Sequence, residues 1–109
     1  MNKLGRVSIV IPVYAAEKTL PVLVTEIEKL THPQVTAAGN SFVVSEVVLV
    51  HDCGPDRSDL TMTALAESHA FVQPVWLSRN YGQHAATMAG MASATGGWVV
   101  TLDEDGQHD

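Results

Sequence analysis

Apolar positions along this chain recur with two different periods. Val7-Ser8-Ile9-Val10-Ile11 is a β-branched run closed by Pro12, which predicts a strand. Leu20, Leu23, Val24, Ile27 and Leu30 then recur at helical spacing. Thr19 and Pro21 supply the start of that helix, and His32-Pro33 its end. The stretch from Gln34 to Ser45 shows no clear period, contains Gly39-Asn40-Ser41, and is read as a loop. Glu46-Val47-Val48-Leu49-Val50 predicts a second strand. A second helix follows, capped by Asp56 or Ser58 and turning Met62, Leu65 and Ala66 inward.

Val72 to Leu77 predicts a third strand, and Pro74 inside it points to an edge position, because proline donates nothing to a ladder. Gln83 to Thr95 predicts a third helix, whose many alanines let it lie close to a sheet, and Gly96-Gly97 ends it. Trp98-Val99-Val100-Thr101-Leu102 predicts the fourth strand.

Strands alternating with helices imply an α/β fold, a parallel sheet of about four strands with flanking helices and right-handed crossovers. With the third strand at an edge, the strand order is 3-2-1-4. Ligands of such sheets bind beyond the carboxyl ends of the strands. Those ends carry Pro12-Val13-Tyr14, His51-Asp52-Cys53-Gly54, Ser78-Arg79-Asn80 and Asp103-Glu104-Asp105.

The chain has 109 residues, enough for one domain with a modest core. Its net charge of −6 argues against a nucleic-acid partner. Four of the twelve acidic residues fall in the last seven positions, so the acidity is partly local, as a cation site requires. Cys53 is the single cysteine, which excludes an internal disulfide and fits a reducing compartment. The apolar run before Pro12 is too short to span a bilayer. Neither GxGxxG nor GxxxxGK[ST] occurs.

The candidate chemistry has bland alternatives beside it. Asp103 and Asp105 offer hard oxygen ligands suited to Mg²⁺ or Mn²⁺, or they form a solvated turn. Gln107 is a third oxygen ligand or a polar loop residue. Asp52 accepts a hydrogen bond from a nucleotide base, or is a turn aspartate before Gly54-Pro55. Tyr14 stacks on a base or packs on the rim. Glu17 contacts the nucleotide or favours a helix start. Arg79 pairs with a diphosphate or with a rim carboxylate.

Four segments together carry a family likeness: Ile11 to Tyr14 (IPVY), Leu49 to Asp56 (LVHDCGPD), Leu77 to His84 (LSRNYGQH) and Leu102 to Gln107 (LDEDGQ). The chain resembles family 2 glycosyltransferases of the GT-A fold, with a flavour of the dolichol- and polyprenyl-phosphate sugar transferases. The resemblance runs in order from Val7 to Asp109. It implies the Rossmann-like nucleotide-binding half of a GT-A domain over residues 1–109, with the acceptor half and any catalytic base after Asp109. It also implies a UDP- or GDP-linked sugar donor, a divalent metal, inversion at the anomeric carbon and a lipid-phosphate acceptor.

On this chain Asp103 and Asp105 match the metal-binding Asp-x-Asp, with Asp103 also near the nucleotide, and Gln107 matches a further metal contact. Asp52 matches the base-reading aspartate, and Pro12, Tyr14 and Glu17 the nucleoside wall. Two departures stand out: Ala15-Ala16 where the family usually has Asn-Glu, and His51-Asp52 where it usually has Asp-Asp. Two rivals are a non-catalytic nucleotide-binding module and a sugar nucleotidyltransferase, although Pro12–Ala16 lacks the Gly-rich basic loop of the latter. Further expectations are a cytoplasmic location, with the full-length protein at the cytoplasmic face of the membrane. On its own, the 109-residue chain is expected to be inactive and to self-associate through its fourth strand.

Overall fold

The computed structural model describes residues 4–105. The elements are β1 (Gly5–Val13), α1 (Leu20–Glu28), β2 (Gln34–Val35), β3 (Ser41–His51), α2 (Ser58–Ser68), β4 (Val72–Trp76), α3 (Gln83–Ser93) and β5 (Trp98–Thr101). The four principal strands lie in the expected order, β4-β3-β1-β5, all parallel.

The segment read as a loop, Gln34 to Ser45, is instead largely sheet. It holds β2, a two-residue strand antiparallel to the start of β3, and the first half of β3 itself. Thr36 N–H donates to the Asn40 carbonyl, and Gly39 takes a φ of 85°, so the segment is a hairpin turned by Gly39-Asn40. Among the described residues, β4 pairs only with β3, which gives Pro74 the edge it needs.

β1 runs two residues past its expected end, through Pro12 to Val13. The Leu102 N–H donates to the Val10 carbonyl on the β5 side, and Asp52 N–H donates to the Val13 carbonyl on the β3 side. That alternation turns the missing donor of Pro12 toward β5, beyond the last ladder pair Val10↔Thr101, where it costs no bond.

Each face of the sheet has its own core. On one face Ile9, Ile11, Val13, Val47 and Leu49 pack with Leu20, Val24 and Ile27 of α1 and Met62 and Leu65 of α2. On the other, Val10, Val48 and Val50 meet Ala86 of α3. A Cβ on Gly90 would overlap the Val10 and Val50 side chains, so α3 sits close to the sheet as its small residues predict. Helix α1 stops at Glu28, before His32-Pro33, and closes in tight turns in which Leu30 N–H donates to Ile27 and Thr31 N–H to Glu28.

Under the end of α3, a buried polar cluster ties β5's approach to the central strands. Glu46 accepts from the Ser8 hydroxyl at 2.6 Å and from both the N–H and the hydroxyl of Thr95, while Gly96 N–H donates to Ser8 Oγ at 2.8 Å. Burial alone would raise the Glu46 carboxyl, but the hydrogen bonds from Ser8, Thr95 and Gly96 outweigh it and hold the group below its ordinary value of 4.5. Among the described residues no helix is long and apolar enough to cross a membrane.

Candidate nucleotide and metal site

The carboxyl ends of β1, β3 and β5 open onto one cleft of about 690 Å³. Pro12, Val13, Tyr14 and Ala15 form its β1 side, Asp52 comes from β3, Asn80, Gly82 and Gln83 from the turn into α3, and Asp103, Glu104 and Asp105 follow β5. Of the residues singled out in the sequence, Pro12, Tyr14, Asp52, Asp103 and Asp105 share this cleft. Gln107 lies outside the described residues.

Asp52 is 2% exposed, and its Oδ1 accepts the Tyr81 N–H at 2.8 Å. The contact ties β3 to the loop before α3 and fixes the carboxylate's orientation. Just after it the chain turns sharply: Cys53 takes a φ of 51°, and a Cβ on Gly54 would overlap the Tyr14 carbonyl. Only glycine lets these two loops approach so closely. Tyr14 stands half exposed at the rim.

Glu17 and Arg79 do not line the cleft. Glu17 Oε1 accepts the Arg57 N–H at 3.0 Å, while its own N–H donates to Asp56 Oδ2 at 3.1 Å. Asp56 also receives the Ser58 N–H and hydroxyl, which holds the turn into α2; the cap position itself falls on Arg57 and carries no side-chain cap bond, so neither Asp56 nor Ser58 is the expected cap. Burial would raise the Asp56 carboxyl, but these hydrogen bonds from Ser58 and Glu17 hold it below its ordinary value. Arg79 stacks on the Tyr81 ring, its guanidinium carbon 4.8 Å from the centroid.

The acidic end is organised by residues that the sequence reading left out. Gln83 Nε2 donates to Asp103 Oδ1 at 2.7 Å. The Glu104 carboxylate accepts the Tyr14 N–H at 3.1 Å and the Ala15 N–H at 2.9 Å, and the Glu104 carbonyl accepts the Thr19 hydroxyl at 3.2 Å. Thr19, expected only as a helix start, makes no side-chain cap. A glutamate between two metal-type aspartates, and a glutamine opening α3, were the available signals.

Among the described residues no group of three His, Cys, Asp or Glu side chains could hold a metal on its own. Two carboxylates are nevertheless enough for Mg²⁺ or Mn²⁺, which commonly take one or two from protein and fill their other positions with phosphate and water. Asp103 and Asp105, hard oxygen donors on an open cleft, fit such an ion.

A family model for Glycosyl transferase family 2 matches residues 8–109. The chain belongs to glycosyl transferase family 2.

Its relatives include the undecaprenyl-phosphate 4-deoxy-4-formamido-L-arabinose transferase of Sodalis glossinidius. That protein is 42% identical over 107 residues, which are 97% of this chain and 31% of the relative. The protein of the same name from Pseudomonas aeruginosa (strain LESB58) is 44% identical over 103 residues, 94% of this chain and 28% of the relative. The chain thus spans less than a third of these relatives.

Among solved structures, the mannosyltransferase PcManGT from Pyrobaculum calidifontis, in complex with GDP-Man and Mn²⁺, superposes with a TM-score of 0.76 at 23% identity. The match covers 94% of this chain and 28% of that one. S. aureus TarS 1-349 in complex with UDP-GlcNAc gives 0.72 at 24% identity, over 92% and 26%. Both likenesses establish the shared fold.

Proposed function

We propose that residues 1–109 form the donor-binding part of a metal-dependent, inverting glycosyltransferase that moves a sugar from a UDP- or GDP-linked donor to a polyprenyl phosphate. The observation that carries this reading is the single cleft with buried Asp52 on one side and Asp103 and Asp105 on the other. One carboxylate is set to accept from a base N–H, and two are set to face a diphosphate through a cation. The names of the relatives favour undecaprenyl phosphate as acceptor and a formamido-arabinose as the sugar. PcManGT, solved with GDP-Man and Mn²⁺, supports a nucleotide sugar with a divalent ion.

In this mechanism Asp52 orients the base, and Pro12 and Tyr14 wall the nucleoside. Asp103 and Asp105, with Gln107 beyond the described residues, would hold Mg²⁺ or Mn²⁺. When bound, the cation offsets charge on the departing diphosphate. The lipid phosphate attacks the anomeric carbon from the opposite face. Its oxygen is already anionic, so positioning and electrostatics dominate over proton transfer. Because the chain spans less than a third of its relatives, the acceptor-binding part is assigned to the remainder of the full-length protein, which works at the cytoplasmic face of the membrane.

Nucleotide release from UDP- and GDP-sugars by the full-length protein, with and without undecaprenyl phosphate and with and without EDTA, tests this. Release that needs both the lipid and the metal is expected. Binding without release would favour a non-catalytic module, and formation of UTP or GTP from the nucleotide sugar when pyrophosphate is added would favour a nucleotidyltransferase.

A further inference from the structure

We infer that Glu104 is a positioning residue, which sets Asp103 and Asp105 by seating its carboxylate on the Tyr14 and Ala15 N–H groups. The inference rests on reading the cleft as a nucleoside-diphosphate site with a divalent cation.

Strand β5 is four residues long and, among the described strands, pairs only with β1. Its ladder ends at Thr101, and Leu102 adds one bond to Val10. The acidic turn therefore starts where sheet pairing stops. Beyond that point Gln83 holds Asp103, and Glu104 holds the turn at both ends of the residue: the carboxylate on two successive N–H groups of β1's outgoing loop, and the carbonyl on the Thr19 hydroxyl.

Two successive N–H groups converging on one point form a concavity that attracts anions. Left open, it would compete for the neighbouring aspartates or for a donor phosphate. Filling it with Glu104 satisfies both donors and sets the middle carboxylate of three against positive dipoles. Asp103 and Asp105 are then left facing the cleft from a turn anchored to β1. Alanine at 104 removes the anchor. Glutamine keeps an acceptor oxygen of the same reach.

The test is calorimetric titration of the full-length protein with Mn²⁺ plus UDP or GDP, and with Mn²⁺ alone, for wild type, Glu104→Ala, Glu104→Gln and Thr19→Val. Melting temperatures are read beside each titration. Glu104→Ala should weaken metal-dependent nucleotide binding about tenfold. Glu104→Gln should restore most of it, and Thr19→Val should weaken it less than the alanine variant does.

Wild-type affinity in Glu104→Ala would overturn the inference, as would tighter binding, which would mean that Glu104 blocks an anion seat. A loss that follows the fall in melting temperature, with no rescue by glutamine, would make the role merely structural. If the wild type itself binds neither nucleotide with Mn²⁺, the reading of the cleft fails instead. Should Glu104→Ala not fold, Thr19→Val and Glu104→Gln still decide: unchanged binding in the first together with a loss of about tenfold or more in the second overturns the inference.

Discussion

The two sides of the cleft are built to different standards. Asp52 directly follows an eleven-residue strand with neighbours on both sides, is 2% exposed, and is pinned by the Tyr81 N–H. Asp103 and Asp105 follow a four-residue strand whose Trp98 is 69% exposed and which pairs on one side alone among the described strands. The base side is held by the fold. The acidic side is held by side-chain tethers from Glu104, Gln83 and Thr19. Under the proposed function, that division would place a rigid base on the firmly held side and an exchangeable ion on the tethered one.

The largest effect should come from the acidic side. Asp105→Asn is expected to lower Mn²⁺-dependent affinity for UDP or GDP about a hundredfold, on the order of 2.8 kcal/mol. Its melting temperature should stay put, since the residue is exposed. Equal affinity in the variant, by calorimetry, would remove Asp105 from the metal reading.

On the opposite side a change in packing should act through stability. Gly54→Ala forces a Cβ into the Tyr14 carbonyl and should cost about 1–3 kcal/mol in denaturant unfolding. An unchanged unfolding midpoint would show that these loops can part without strain.

Asp52 and Asp56 sharpen the contrast within that side. Asp52→Ala should weaken nucleotide binding by roughly 1–3 kcal/mol. Some loss of stability should accompany it, because the Tyr81 N–H loses its acceptor. Asp56→Ala should cost about 1 kcal/mol of stability through the lost Ser58 and Glu17 bonds and leave binding nearly intact. Reversed effects would relocate the base pocket.

Acid should loosen the two sides in order. Glu46 is held below its ordinary value of 4.5 by the bonds that fasten Thr95 and Gly96 ahead of β5. Its stabilisation is complete above pH 4.5 and is lost as pH falls from there through the lower value of the folded state. Amide exchange in β5 should therefore accelerate before exchange in β3 on acidification, and Glu46→Gln should remove the pH dependence. Simultaneous loss in both strands would count against it.

The smallest effect concerns the open edge of β5. The 109-residue chain should associate weakly at high concentration, and Trp98→Lys should reduce the sedimentation coefficient's rise with concentration. A monomer at all concentrations would show the edge to be inert.

Much of this was legible in the sequence, because it rests on local patterns. The β-branched runs mark β1 and β3, Pro74 marks the edge, and the alanines of α3 mark close packing. The aspartates gather because parallel topology brings strand ends to one rim. The hairpin at Gly39-Asn40 was missed because the first half of β3 mixes Ser41 and Ser45 with Phe42 and Val43, and because β2 is two residues long. The Glu104 tether joins positions 90 and 89 residues apart, and the Glu17–Arg57 contact joins positions 40 apart. No local period encodes such pairs.

Glu17 and Asp56 each accept a backbone N–H from the other's segment, Arg57 in one direction and Glu17 in the other. The loops after β1 and β3 are therefore stitched twice, with opposite polarity, and behave as one unit. A chimera that exchanges one loop without the other would keep only one of the two stitches. Exchanging the loops that frame this cleft would preserve both stitches only if the two travel together.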